Sequence, residues 1–159
     1  MKDVLVVRNG CVKDGEKVLQ VWDEFMDYHK GISALDFNMV KNARKMWIKY
    51  FEKHVRSRIR NAIVAECNGR IVGFLLGTIE KRPPIFTTPH QAYIDSIGVL
   101  KSKRNHGVGG MMMDAFMKWA KEKKLPYVML NVAVENEMAI RFYKKRGFKT
   151  MMLSQRKLL

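Results

Sequence analysis

The stretch from Asp95 to Met113, DSIGVLKSKRNHGVGGMMM, most narrows what this chain can become. It reads as strand, loop, then helix. Tyr93, Asp95, Ile97 and Val99 recur at every second position and so predict one shared strand face. Met112, Ala115, Phe116, Trp119 and Ala120 fall on a single helical stripe. Between them stand Arg104, Gly107 and Gly109. A helix that opens from a glycine-rich turn directs unpaired N–H groups and its positive dipole end outward, and glycine lets an anion approach the backbone. The loop therefore reads either as a seat for phosphate or as a plain turn. The pattern GxxxxGK[ST] fails for want of Lys and Ser/Thr after a second glycine, and GxGxxG fails at Met112. What remains is RxxGxG ahead of an amphipathic helix.

The rest of the chain supplies elements to pack around that unit. Asp3 to Arg8 predicts an opening strand closed by the turn pair Asn9-Gly10. From about Glu16 the period becomes helical through Val18, Val21, Trp22 and Phe25, with Gly31 marking the end. A loop from Ser33 to Asn38 leads to a second helix. There Met39, Ala43, Met46, Trp47, Tyr50, Phe51 and His54 keep one face, which makes His54 a packed residue rather than a catalyst. Ala62–Cys67 and Ile71–Ile79 join through Asn68-Gly69 as a hairpin. Lys81–His90 holds three of the four prolines and reads as a stiff loop, either framing a substrate or merely connecting. Ala92–Leu100 is the next strand, Tyr127–Val134 a further one, and Phe148–Leu159 the last. This order predicts an α/β (α+β) class with a mixed, mostly antiparallel sheet.

Length and charge bound the function. The chain has 159 residues, 47% of them hydrophobic, which suits one domain over residues 1–159 with its own core. Cys11 and Cys67 match neither a disulfide framework nor a zinc pattern. The apolar run Val4–Val7 is too short for a signal-peptide core and no span reaches transmembrane length, so the expectation is a soluble, cytoplasmic protein that engages no membrane. The formal charge is +15, and residues 101–159 alone carry fourteen basic against four acidic side chains. That field would gather a polyanionic cofactor, and equally RNA or DNA, although no nucleic-acid motif accompanies it.

A second landmark, Leu130–Phe148, gives the pattern a family. Asn136, Ala139, the pair Phe142-Tyr143 and the pair Gly147-Phe148 follow RxxGxG at the spacing seen in the GNAT acetyltransferase superfamily, which the chain resembles closely from Tyr93 to Phe148. The resemblance implies helices flanking a sheet whose two central strands splay apart to bind coenzyme A. It implies acetyl-CoA as cosubstrate, a primary amine of a small molecule, protein or peptide as acceptor, no metal, and a possible homodimer. Transferred by position, Arg104, Asn105, His106, Gly107, Val108, Gly109 and Gly110 hold the pyrophosphate. Ile97, Gly98, Val99, Asn131, Asn136 and Ala139 line the arm, and Tyr143 approaches the sulfur as the acid for the leaving thiolate. Asp95 stands where several small-molecule enzymes of the family carry a glutamate base, and its side is expected to be that of Ile97 and Val99. A structural role for Asp95 stands beside that reading, as helix cap and core packing do for Asn136 and Tyr143. Asn131 stands where the enzymes that acetylate ribosomal-protein N-termini carry a glutamate, and an amide cannot take a proton. A catalytically silent CoA-binding module and a basic nucleic-acid binder are the alternatives.

Overall fold

A computed structural model describes residues 4–159. The β-branched run after the N-terminus forms β1 (Leu5–Asn9), so Asp3 lies outside the described residues. A 3-10 turn (Val12–Asp14) leads to α1 (Leu19–Ile32), the single turn α2 (Ala34–Phe37) and α3 (Ala43–Val55). Then come β2 (Arg60–Cys67), β3 (Arg70–Lys81), β4 (His90–Val99), α4 (Val108–Glu122), β5 (Val128–Leu130) and α5 (Glu137–Lys145). The strands form one sheet in the order β1-β2-β3-β4-β5, antiparallel throughout except for the parallel pair β4 and β5. The mixed, mostly antiparallel sheet predicted from element order is the one found.

The β2–β3 turn shows how local chemistry sets register. Asn68 and Gly69 both have positive φ, at 49° and 80°, the geometry a tight two-residue hairpin requires. Cys67 consequently pairs with Arg70, and a bulge at Val72 then shifts the ladder by one, so that Ala65 meets Gly73 and Ala62 meets Leu76. This places Gly73 and Gly77 on one face of β3, where added Cβ atoms would meet Met112 and Phe116 of α4. The α4 stripe thus lands as its period predicts, with Met112, Phe116 and Ala120 buried. On the other face α1 and α3 stack Trp22 on Trp47 at 5.3 Å, and Trp47 sets its ring edge against Phe74 at 5.3 Å. Truncating the fully buried Phe51 or Phe74 to Ala would cost about 3–5 kcal/mol by the usual rule for large core residues.

Several boundaries differ from the sequence reading. Gly31 does not end α1, because its φ stays negative and the helix continues to Ile32. The loop from Ser33 to Asn38 contains α2, whose first turn is tied by the Ser33 hydroxyl to Asp36 at 2.6 Å. α3 begins at Ala43, and Met39, Met46 and Tyr50 are exposed, so its buried face is narrower than the apolar pattern suggests. The strand predicted over Tyr127–Val134 keeps only Val128–Leu130. Residues 149–159 form no strand: Met151, Met152 and Leu153 are exposed in a row rather than alternating, and Arg156 pairs with Asp36.

Two ion pairs made by Arg8 tie β1 to β2 and to the 3-10 turn that follows β1. Arg8 donates to Asp14 at 2.7 and 3.0 Å and to Glu66 at 2.8 Å, while Asp14 also accepts the Cys11 N–H at 2.8 Å and is almost fully buried. The Arg8 hydrogen bonds, and after them the Cys11 N–H, outweigh desolvation and hold the Asp14 carboxyl at about 2. A carboxyl depressed on folding stabilises the fold above its unfolded value, near 3.8, and loses that contribution as pH falls towards about 2. Asp14→Asn should therefore melt below the parent at pH 7, by up to about 2 kcal/mol. Thermal melts across pH 7 to 2 should show the gap closing below about pH 4; a gap independent of pH would remove the ion pair as its cause.

Candidate functional site

The site begins where β4 stops being regular. Pairing with β3 runs Gly73–Val99, Phe74–Gly98, Leu75–Ile97 and Leu76–Ser96, then resumes at Gly77–Ile94, so Asp95 is the extra residue of a β-bulge. A bulge inverts the alternation beyond it. Ile97 and Val99 share the α4 face with Leu75 and Gly73, whereas Asp95 points to the opposite face, where α3 meets it. The expected common face of Asp95, Ile97 and Val99 is corrected on this ground.

The same residue marks a second break. β4 and β5 pair at Ala92–Val128, Tyr93–Met129 and Ile94–Leu130, and β5 ends there while β4 continues five residues to Val99. Beyond Ile94 the two strands have parted, leaving the backbone of residues 96–99 without a strand neighbour on that side. Asn131 is the first residue past β5 and is exposed. The strands splay as expected, but β5 is the last strand of the described sheet, so the parting lies between β4 and an edge strand rather than between two central ones.

At the far end of β4 a second 3-10 turn (Lys101–Lys103) is pinned to α1 by the Lys101 N–H donating to Glu24 at 2.8 Å. Arg104 Nε donates to the Val99 carbonyl at 3.1 Å, and the His106 ring lies 2.6 Å from the Arg104 carbonyl. Asn105 and Gly107 take positive φ, 62° and 79°, and Gly107 caps α4 with nothing within 4 Å of the place its Cβ would occupy. Asn105, His106 and Gly107 are exposed, Val108 and Gly110 buried. The first N–H groups of α4 therefore open beside a cationic loop, the arrangement that receives anions.

α5 closes the third side. A Cβ on Gly109 would lie 3.5 Å from Phe142 and 3.8 Å from Val99, and one on Gly110 would collide with the Arg146 guanidinium, which bonds Asp114 at 2.6 Å. Small residues at the start of α4 thus let α5 and the end of β4 approach. Asn136 is the cap of α5, not a member of its face: its Oδ1 accepts the Ala139 N–H at 3.2 Å and the Tyr28 hydroxyl at 3.1 Å. Its amide nitrogen makes no hydrogen bond among the described residues. Tyr28 also lies under the Arg104 guanidinium, 5.6 Å from ring centre to carbon. One α1 side chain therefore joins the anion loop to the α5 cap across a separation of 108 residues, which no sequence pattern announces.

Tyr143 packs half-buried with ring centroids 5.4 Å from Phe142 and 5.7 Å from Phe148, and desolvation pushes its phenol up to about 12. It holds its proton throughout the neutral range. On the α3 side, the fully buried His54 places Nε2 2.9 Å from Asp95 Oδ2. The charge of this carboxylate reaches both Tyr50 and Tyr93. Desolvation first, and then the Asp95 charge in Tyr50 and the Glu80 and Asp95 charges in Tyr93, raise both phenols, offset by Arg60 and by the Asn131 backbone respectively. Of the residues singled out from sequence, Arg104, Gly107, Gly109, Asn136 and the ends of β4 and β5 converge, while Asp95 faces α3 and bonds His54.

Comparison with known proteins matches a family model described as the acetyltransferase (GNAT) family to residues 20–148. An N-alpha-acetyltransferase of Sulfurisphaera tokodaii is 36% identical over 63% of this chain and 63% of its own length. An uncharacterized N-acetyltransferase of Methanocaldococcus jannaschii is 31% identical over 79% of this chain and 55% of its own. The chain therefore spans less than two thirds of the length of these relatives. The crystal structure of aminoglycoside N-acetyltransferase AAC(6')-Iy in complex with CoA superposes with a TM-score of 0.74 at 16% identity, covering 99% of this chain and 97% of that one.

The loop geometry itself is open to test. Gly107→Ala forces a Cβ into left-handed backbone and should cost about 1–2 kcal/mol. Gly109→Ala meets only ordinary contacts inside a helix and should be neutral or stabilising by up to about 1 kcal/mol. Thermal melts of the two variants without ligand should separate in that order, and equal melting would contradict the left-handed cap.

Proposed function

The chain belongs to the GNAT acetyltransferase family, and on that premise we propose that it passes an acetyl group from acetyl-CoA to a primary amine in a direct ternary complex, as a single domain over residues 1–159. The observation that carries the reading is the gap opened where β4 and β5 part after Ile94 and Leu130, with a cationic, positive-φ loop at its mouth. A pantetheine arm fits such a gap because the unpaired backbone of residues 96–99 offers amide partners there. The pyrophosphate then meets Arg104 to Gly110 and the start of α4. Asn136, Ala139 and Asn131 border the arm on the α5 side. The excess of basic residues after Lys101 favours a polyanionic cosubstrate by attraction alone.

The chemistry follows from proton accounting. An ammonium has no lone pair, so the acceptor delivers a proton before its nitrogen attacks the thioester carbonyl. Asp95 receives it, through a water because aspartate is one methylene shorter than glutamate. Backbone N–H groups near Val99 stabilise the oxyanion as the C–N bond forms. As the C–S bond breaks, Tyr143 gives its proton to the departing thiolate, and the second proton released by the adduct nitrogen restores the phenol. A phenol held protonated by burial suits this role, since it enters each turnover as an acid.

Two variants test the assignment. Gly109→Val places a branched side chain where the backbone meets the pyrophosphate, within space the protein itself leaves at 3.5–3.8 Å. Acetyl-CoA at about 100 times its Kd should raise the stability of the parent by about 2.7 kcal/mol, and of Gly109→Val by far less. An oligonucleotide that shifts the melt where acetyl-CoA does not would install the nucleic-acid reading instead. Tyr143→Phe deletes one hydroxyl, so single-turnover transfer should slow by about 10² to 10⁴ with acetyl-CoA affinity kept. Parental rates in Tyr143→Phe would leave Tyr143 as packing. Tight acetyl-CoA binding by a parent that acetylates no amine would make the fold a silent CoA binder.

A further inference from the structure

His54 is a buried titratable group with no part in the mechanism above. Its ring is wholly inaccessible, and both nitrogens are engaged. Nδ1 lies 2.9 Å from the Tyr50 carbonyl one turn earlier in α3. A carbonyl only accepts, so Nδ1 carries hydrogen. Nε2 lies 2.9 Å from Asp95 Oδ2, and a hydrogen bond there needs one proton between them, on the imidazole or on the carboxyl. Oδ2 is thereby committed. Oδ1 makes no hydrogen bond among the described residues, and the Asp95 side chain retains 19% exposure.

We propose that His54 is the positioning residue of the proton acceptor: it pins Asp95 Oδ2 and leaves Oδ1 as the only oxygen free to meet the acceptor amine or its relaying water. The inference rests on the assignment of Asp95 as that acceptor. The bulge makes the device necessary. Asp95 is the unpaired extra residue of β4, so the ladder alone does not fix its side chain, and a buried ring from α3 supplies the missing constraint. Tyr50 from α3 meets the ring edge-on, with centroids 4.5 Å apart, and Tyr93 from β4 also feels the Asp95 charge. Arg60 from β2 reaches Tyr50, and Glu80 from β3 acts on Tyr93. Among the described residues Asp95 is the only carboxylate that His54 bonds.

A tether between α3 and β4 would need the same contact, so the test separates position from stability. Single-turnover transfer from acetyl-CoA to a panel of simple primary amines is measured in the parent, His54→Phe, His54→Gln and Asp95→Asn. His54→Phe keeps the ring volume and drops the bond. It should lose on the order of 10²-fold in rate, the usual consequence of a misplaced reacting group, with KM for acetyl-CoA unchanged. His54→Gln sets an amide N–H near the Nε2 position and should recover most of that loss, whatever its melting temperature. Adding His54→Phe to Asp95→Asn should slow transfer no further. Parental rates in folded His54→Phe, or losses in both variants that track their melting temperatures, would overturn the proposal. A parent that transfers to no amine, by contrast, overturns the functional assignment beneath it. Nitrogen-15 spectra of the imidazole test the pair without turnover: the Nε2 signal of His54 should move on Asp95→Asn while Nδ1 stays protonated, and an unmoved Nε2 signal would overturn the pairing.

Discussion

One irregularity in hydrogen bonding governs this molecule: β4 carries a residue more than its partner β3 requires, at Asp95. Opposite strands in a ladder must match residue for residue, and an extra one bends the chain and inverts the faces beyond it. Here the inversion sends Ile97 and Val99 to the α4 side and Asp95 to the α3 side. The parallel pairing with β5 lapses at the neighbouring residue, Ile94. Bulge and splay together open a cleft between β4 and the edge strand β5, with one wall of bare backbone.

The packing around that cleft follows from the need to hold an interrupted sheet. α4 covers one face with Met112 and Phe116 set over Gly73 and Gly77, positions where β3 has no side chain to resist them. Such close-packed contacts tolerate little added volume, since overpacking costs about 1–3 kcal/mol. α1 and α3 cover the other face through the Trp22–Trp47 stack. The parts that border the cleft use polar ties instead: Glu24 to Lys101, Arg104 to Val99, and Tyr28 to Asn136. The Tyr28–Asn136 bond is neutral and of a kind that contributes about 1 kcal/mol, while the other two involve the Glu24 carboxylate and the Arg104 guanidinium, for which about 1.5–3 kcal/mol is usual.

Much of the architecture was legible in the residues because it depends on local chemistry. Asn68-Gly69 permits positive φ at two successive positions, which sets the pairing of β2 and β3 beside the turn, and the stripe of Met112, Phe116 and Ala120 sets the buried side of α4. Gly107 supplies the left-handed cap that aims the start of α4 outward. RxxGxG together with the run from Asn136 to Phe148 likewise pointed to the family that the comparison supports. The last strand over Phe148–Leu159 and the long reading of β5 rested on apolar content alone, and apolar content does not state whether a partner edge is within reach.

What the chain determined by itself, then, are the features that neighbours in sequence can decide: periods, turns, caps and the glycine loop. The tertiary structure decided which way Asp95 faces, because a bulge is a mismatch between two strands and exists in neither one alone. It also decided the company of His54. Its place on a helical face correctly marked it as packed, but only the approach of α3 to β4, across 41 residues, brings its ring to that carboxylate. Tyr28 reaches Arg104 and Asn136 in the same way. Side-chain partners separated by tens of residues are set by packing and register, and no period of two or 3.6 encodes them.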